Sequence, residues 1–124
     1  MKIELDYTSN NTNRIESYSR GEIKVSGESF KSNLVITSGS IYTDLLPASF
    51  KELTKNHIES IQDLNPEVLI LGTGENLLFP GEDILAPLIN KQTGYEIMDT
   101  GAACRSFNFL LGEGRIVVLA LFMI

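Results

Sequence analysis

Cys104 and Arg105 put a thiol beside a guanidinium at the end of the run Asp99-Thr100-Gly101-Ala102-Ala103-Cys104-Arg105. Aspartate or threonine followed by small residues reads as a helix start. There the free N–H groups and the helix dipole favour anions. A cysteine so placed can ionise more easily, and an adjacent arginine pushes the same way. Asn108, four residues beyond Cys104, shares its helix face and could orient a bound group. Three readings of Cys104 stand side by side: a small buried core residue, a ligand contact, or a weak candidate nucleophile. A Cys–His pair would have to draw on His57, the single histidine, which belongs to another helix.

The second candidate is Gly72-Thr73-Gly74-Glu75, which follows the apolar run Val68-Leu69-Ile70-Leu71. In open α/β sheets ligands bind beyond the carboxyl ends of strands, and glycines let the backbone approach a phosphate. The spacing matches neither Gly-x-Gly-x-x-Gly nor the phosphate loop ending in Lys-Ser/Thr. A tight turn needing positive φ explains the glycines equally. The triplet Asp99-Thr100-Gly101 matches the aspartic-protease motif, whose chemistry needs two carboxylates in one site. Here it opens a helix rather than a strand-bounded loop, and the protease reading is rejected. Glu113 and Arg115 read as an ion pair or strand entry rather than as acid and base.

The elements that must position these residues follow from periodicity. Ile3, Leu5 and Tyr7 alternate with polar residues before the polar run at 8–13, which reads as a loop. Residues 14–37 read as an antiparallel hairpin or meander, with a turn at Gly27-Glu28-Ser29 and a strand resuming at Asn33. Residues 41–53 carry no clear pattern, and Pro47 interrupts them. Thr54 caps a first helix, with Leu53 and Ile58 spaced as a hydrophobic staple, and Asn65-Pro66 ends it. The run 68–71 is apolar enough for a strand covered on both faces. A second helical stretch spans roughly 80–91, and Pro87 predicts either a late start or a kink. A short strand follows at 95–98. Ala103, Phe107, Leu110 and Leu111 form one stripe of a third helix that Gly112 and Gly114 stop. The apolar residues 116–124 predict a strand in the middle of a sheet.

The chain has 124 residues, 43% hydrophobic and 21% charged, which suits one domain rather than two undersized cores or a disordered chain. Residues 1–13 are expected to be a partly flexible arm on a core of 14–124. The net charge of −6, with no basic cluster, excludes nucleic acid as a natural partner. One cysteine and one histidine exclude a disulfide within the chain and the usual zinc sets, so no metal or cofactor is expected. The N-terminus lacks a secretory pattern, and no apolar run approaches the ~20 residues of a spanning helix. A cytoplasmic location without membrane insertion is the expectation.

The C-terminal block resembles a known family. Pro66-Glu67-Val68-Leu69-Ile70-Leu71-Gly72-Thr73-Gly74 carries the likeness first, then Glu96-Ile97-Met98-Asp99-Thr100-Gly101-Ala102-Ala103-Cys104-Arg105, Asn108 and Glu113-Gly114-Arg115. The early pattern Ile15, Tyr18, Gly21, Ile23, Val25 and Gly27 fits as well. These motifs are similar to a family of small domains of unknown function, one eukaryotic branch of which comprises the mitochondrial complex I assembly factor three. The resemblance implies an α/β fold, a single layered domain with a mixed central sheet. That agrees with the element order read above, β-rich in the N-terminal part and alternating helix and strand in the C-terminal part. Phe50 stands where many relatives carry a tryptophan, and Asn76-Leu77-Leu78-Phe79-Pro80-Gly81 replaces a proline-rich stretch. The N-terminus shows no transit-like pattern. The leading expectation is a non-enzymatic interaction or assembly domain with a protein partner or a homodimer, using Leu77, Leu78 and Phe79 as a contact patch. The alternative is a small-anion-binding protein or enzyme built on Gly72, Thr73, Gly74, Asp99, Thr100, Cys104, Arg105 and Asn108.

Overall fold

The computed structural model of the chain describes residues 2–4 and 12–124. Nine strands and three helices follow one another in the described residues: β1 Lys2–Glu4, β2 Ile15–Ser19, β3 Glu22–Val25, β4 Glu28–Phe30, β5 Leu34–Ile36, β6 Ser40–Tyr42, α1 Lys55–Gln62, β7 Val68–Gly72, α2 Glu82–Asn90, β8 Gly94–Met98, α3 Thr100–Gly112 and β9 Val117–Leu121. Six strands form a mixed sheet in the order β1-β6-β5-β9-β7-β8, and β2-β3-β4 make a separate antiparallel sheet. β7 is parallel to both β8 and β9, whereas β5 meets β9 antiparallel. The mixed α/β architecture agrees with the element order read from the sequence. The expected arm at 1–13 falls largely outside the described residues.

The side-chain alternation of the central strands divides the core in two. Leu34, Ile36, Ile70, Val117, Leu119 and Leu121 face α3 and the small sheet, meeting Ile15, Ile23, Val25, Phe30, Ala103 and Phe107. Val35, Leu69, Leu71, Val118, Ala120 and Phe122 face α1 and α2, meeting Ile58, Ile61, Leu85 and Leu88. β9 is therefore apolar at every position because it is covered on both faces. Its place between β5 and β7 is the mid-sheet position expected of it.

Four local readings change. The 14–37 segment does not stay in one meander: Leu34–Ile36 leaves it for the central sheet, since all three residues are buried and need cover on both sides. The turn between β3 and β4 falls at Ser26-Gly27, with Gly27 at φ 86°, and residues 28–29 already belong to β4. The second helix starts at Glu82 and runs through Pro87 rather than starting late. Proline removes one backbone donor there, but the Gly81 carbonyl bonds the first turn and Leu85 and Leu88 are buried. Segment 41–53 yields β6 and a single 3-10 turn at Phe50–Glu52. Asn33 donates to the carbonyls of Pro47 and Ala48 at 2.8 and 3.1 Å and so fixes the irregular stretch. Arg115 pairs with Glu67 at 2.7 Å, not with Glu113. The Ile116 N–H, and then that guanidinium, hold the Glu67 carboxyl below its usual range.

Candidate functional site

The carboxyl ends of β7 and β8 lie side by side, with Gly72 opposite Met98 in register, so the two candidate segments meet. Their meeting is closed by hydrogen bonds. The Thr100 N–H donates to the Gly74 carbonyl at 2.9 Å, and the Gly74 N–H donates to Thr100 Oγ1 at 2.8 Å. Thr100 Oγ1 in turn donates to the Phe122 carbonyl at 2.7 Å, and Phe122 N–H returns to the Gly72 carbonyl at 2.9 Å. Asp99 accepts from Ala102 N–H at 2.9 Å as the helix cap. These donors and acceptors are held by one another, so they stitch β7, α3 and the end of β9 together.

Each small residue of the run has a steric task. A Cβ on Gly72 would lie 2.8 Å from Leu121 Cδ2 and 3.0 Å from both Ala103 Cβ and Thr100 Oγ1. A Cβ on Gly101 would lie 2.9 Å from the Tyr18 hydroxyl. Gly72 lets α3 cross the strand end, and Gly101 lets Tyr18 lie on the first turn of α3. Gly74 supplies the positive φ, at 102°, that the turn requires.

Cys104 is 2% exposed among the core residues on that face. Burial pushes its thiol up to about 12, against the opposing pull of Arg105. At neutral pH the sulfur is protonated and shielded, which is the setting of an inert cysteine. Arg105 points outward and donates from Nη1 to the Tyr18 hydroxyl. Asn108 grips Ile15: Oδ1 accepts from its N–H at 2.9 Å and Nδ2 donates to its carbonyl at 2.8 Å. Its amide thus ties α3 to the small sheet. His57 lies in the first turn of α1, where Nδ1 accepts from the Thr54 N–H at 2.9 Å. Among the described residues no group of three or more His, Cys, Asp or Glu side chains is placed to hold a metal ion.

What remains free at these strand ends is the loop after Gly74. Thr73 Oγ1 donates to the Asn76 carbonyl at 2.6 Å and accepts from Leu78 N–H at 3.1 Å, fixing the loop root. Beyond it Leu77, Leu78 and Phe79 are 49%, 44% and 69% exposed. Two long-range pairs near the site carried no signal in the sequence. Tyr18 reaches Arg105 across 87 positions, and Arg20 pairs with Glu75 at 2.8 Å across 55. No local period encodes such pairs.

This layered arrangement has known counterparts. Residues 15–122 match the family described as protein of unknown function (DUF498/DUF598), and the chain belongs to it. A solved structure of a Bordetella parapertussis protein superposes with a TM-score of 0.84 at 31% identity, covering 92% of this chain and 98% of that one. Assembly factor 3 of the NADH dehydrogenase [ubiquinone] 1 alpha subcomplex from Xenopus tropicalis is 35% identical over 75 residues, 59% of this chain and 41% of that protein. The 13 kDa major membrane protein of Francisella tularensis subsp. holarctica is 31% identical over 65 residues, 52% of this chain and 53% of that protein. The chain thus spans about half or less of the length of these curated relatives. No helix in the described residues is long and apolar enough to cross a membrane.

Proposed function

We propose that this chain is a non-enzymatic protein-interaction domain of the assembly-factor kind, acting in the cytoplasm. The observation that carries the reading is the loop tip of Leu77, Leu78 and Phe79, three consecutive exposed apolar side chains on a hydrogen-bonded root. Consecutive exposed apolar residues on an ordered turn are costly to keep in water unless a partner covers them. The kinship to an assembly factor supports the same reading. Capture from native lysate tests it. The wild-type chain should retain a specific protein that the double variant Leu77→Ser, Phe79→Ser does not. Recovery of bare protein, or equal recovery by both, overturns it.

A second reading, binding of a small anion, has one observation in its favour. Arg14 and Arg105, with Glu16 as the one carboxylate, line a depression of about 240 Å³ beside Tyr18 and Asn108. Calorimetric titration with inorganic phosphate and pyrophosphate checks it. Heat that disappears in Arg105→Ala supports the anion reading, and no heat at millimolar ligand removes it.

A further inference from the structure

β8 is an open edge of the central sheet, and among the described residues it pairs only with β7. The Met98 carbonyl accepts from Thr73 N–H at 2.9 Å, so the backbone groups of Met98 point toward β7. Backbone direction alternates along a strand. Glu96 therefore also bonds inward, while the N–H and C=O of Tyr95 and Ile97 point outward. Four outward backbone groups at strand spacing match another extended chain.

The side chains beside this edge add a groove. Glu96 lies in register with Ile70 and projects to the α3 side, as does Met98. Between β8 and α3 is a cavity of about 460 Å³, with Ile70, Met98, Leu110 and Phe109 as its apolar lining and Glu96 and Arg105 as its charges. Phe109 is 67% exposed.

A second copy of the chain is a poor occupant. The two-fold antiparallel register that bonds all four outward groups pairs Tyr95 with Ile97 of the second copy. It sets Glu96 directly against Glu96. That position is a non-hydrogen-bonded pair, where opposed side chains are closest and like charges destabilise. Both copies would also carry a net charge of −6. The same geometry suits a basic residue.

We propose that the β8 edge binds an extended segment of a partner protein, with Lys or Arg opposite Glu96 and an apolar side chain two residues away, laid in the groove between β8 and α3. Met98, two residues after Glu96 on the same face, lines that groove and gives an apolar side chain of the segment an apolar neighbour. The proposal rests on the protein-interaction reading above but uses a surface separate from the 77–79 loop.

Selection of a random heptapeptide display library on the whole chain tests it. The enriched peptides should share a basic residue with an apolar residue two positions away. Their amide shift changes should centre on Tyr95, Ile97 and Phe109. Glu96→Lys should weaken them about fivefold or more, and replacing the peptide's basic residue by Glu should restore binding to that variant. Tyr95→Pro should abolish binding, because proline removes an outward N–H yet is accepted where an edge N–H faces solvent. If Tyr95→Pro fails to fold, the charge swap at Glu96 decides alone. No enrichment, enrichment without a basic residue, indifference to Glu96→Lys, or a homodimer that competes for the edge overturns the proposal. Loss of the peptide site with loop-dependent capture from lysate intact defeats only the strand-edge proposal. Retained peptide binding with no loop-dependent capture defeats only the loop.

Discussion

The thiol of Cys104 and the hydrogen of Gly72 face opposite demands, one needing to stay neutral and the other needing to stay small. Cys104 ionises near 9 when unfolded, and burial raises it to about 12 in the fold. Its neutral form is therefore favoured by folding, and that contribution is intact below pH 9 and lost as pH climbs toward 12. Chemical denaturation at a series of pH values should show stability falling above pH 9 more steeply for the wild type than for Cys104→Ala, by up to about 1.4 kcal/mol per pH unit. Equal slopes would mean that the thiol is not buried in solution. Labelling of the folded chain with a maleimide should likewise be limited by unfolding. Gly72→Ala places a methyl group against Leu121, Ala103 and Thr100, and overpacking of this kind costs roughly 1–3 kcal/mol. A thermal midpoint equal to that of the wild type would refute the close crossing of α3.

Asn108 joins elements rather than forming a site. Replacing it by Ala leaves the Ile15 N–H and C=O without their partners, a loss of roughly 2–3 kcal/mol. The loss should appear in amide hydrogen exchange as faster exchange at Ile15 and through β2 and β3, while β7 and β9 stay slow. Uniform acceleration would contradict a local clamp. Elements of this kind were unequally legible in the sequence. α1 and α3 were readable because their caps, Thr54 and Asp99, and their apolar spacing are local signals. β9 was readable because an unbroken apolar run has one natural place in a sheet. The departure of Leu34–Ile36 from the meander was not readable, since its partner Leu34↔Leu121 lies far along the chain. Pro87 leaves a late start and a kink both open in the sequence, which shows the lost donor but not the burial of Leu85 and Leu88. The start at Glu82 removes the late start.

At the scale of the molecule, the small sheet completes one of two cores that share the strands of the central sheet. Ile23 belongs to the core beneath α3, together with Leu119 and Leu121 of β9. Ile23→Ala should therefore cost about 2–5 kcal/mol and lower a single thermal transition. Two separated transitions by circular dichroism would show that the small sheet melts independently. The candidate site was legible in part at this scale. Alternation of strand and helix puts residues 72–74 and 99–105 each at a strand end, but that the two ends are neighbours follows only from the β7–β8 register. Apart from the local Asp99 cap, the bonds that tie 72–74 to Thr100 and to the end of β9 join residues distant in the chain and follow only from the assembled sheet. Thr73 holds the loop beyond β7 through the carbonyl of residue 76 and the N–H of residue 78, both main-chain atoms. The side chains at 76–79 are thus no part of the anchor, and this stretch can change its chemical identity while its backbone keeps its path. A foreign tetrapeptide grafted over 76–79 should be displayed in the same backbone shape, making the scaffold a mount whose specificity is exchanged at its tip.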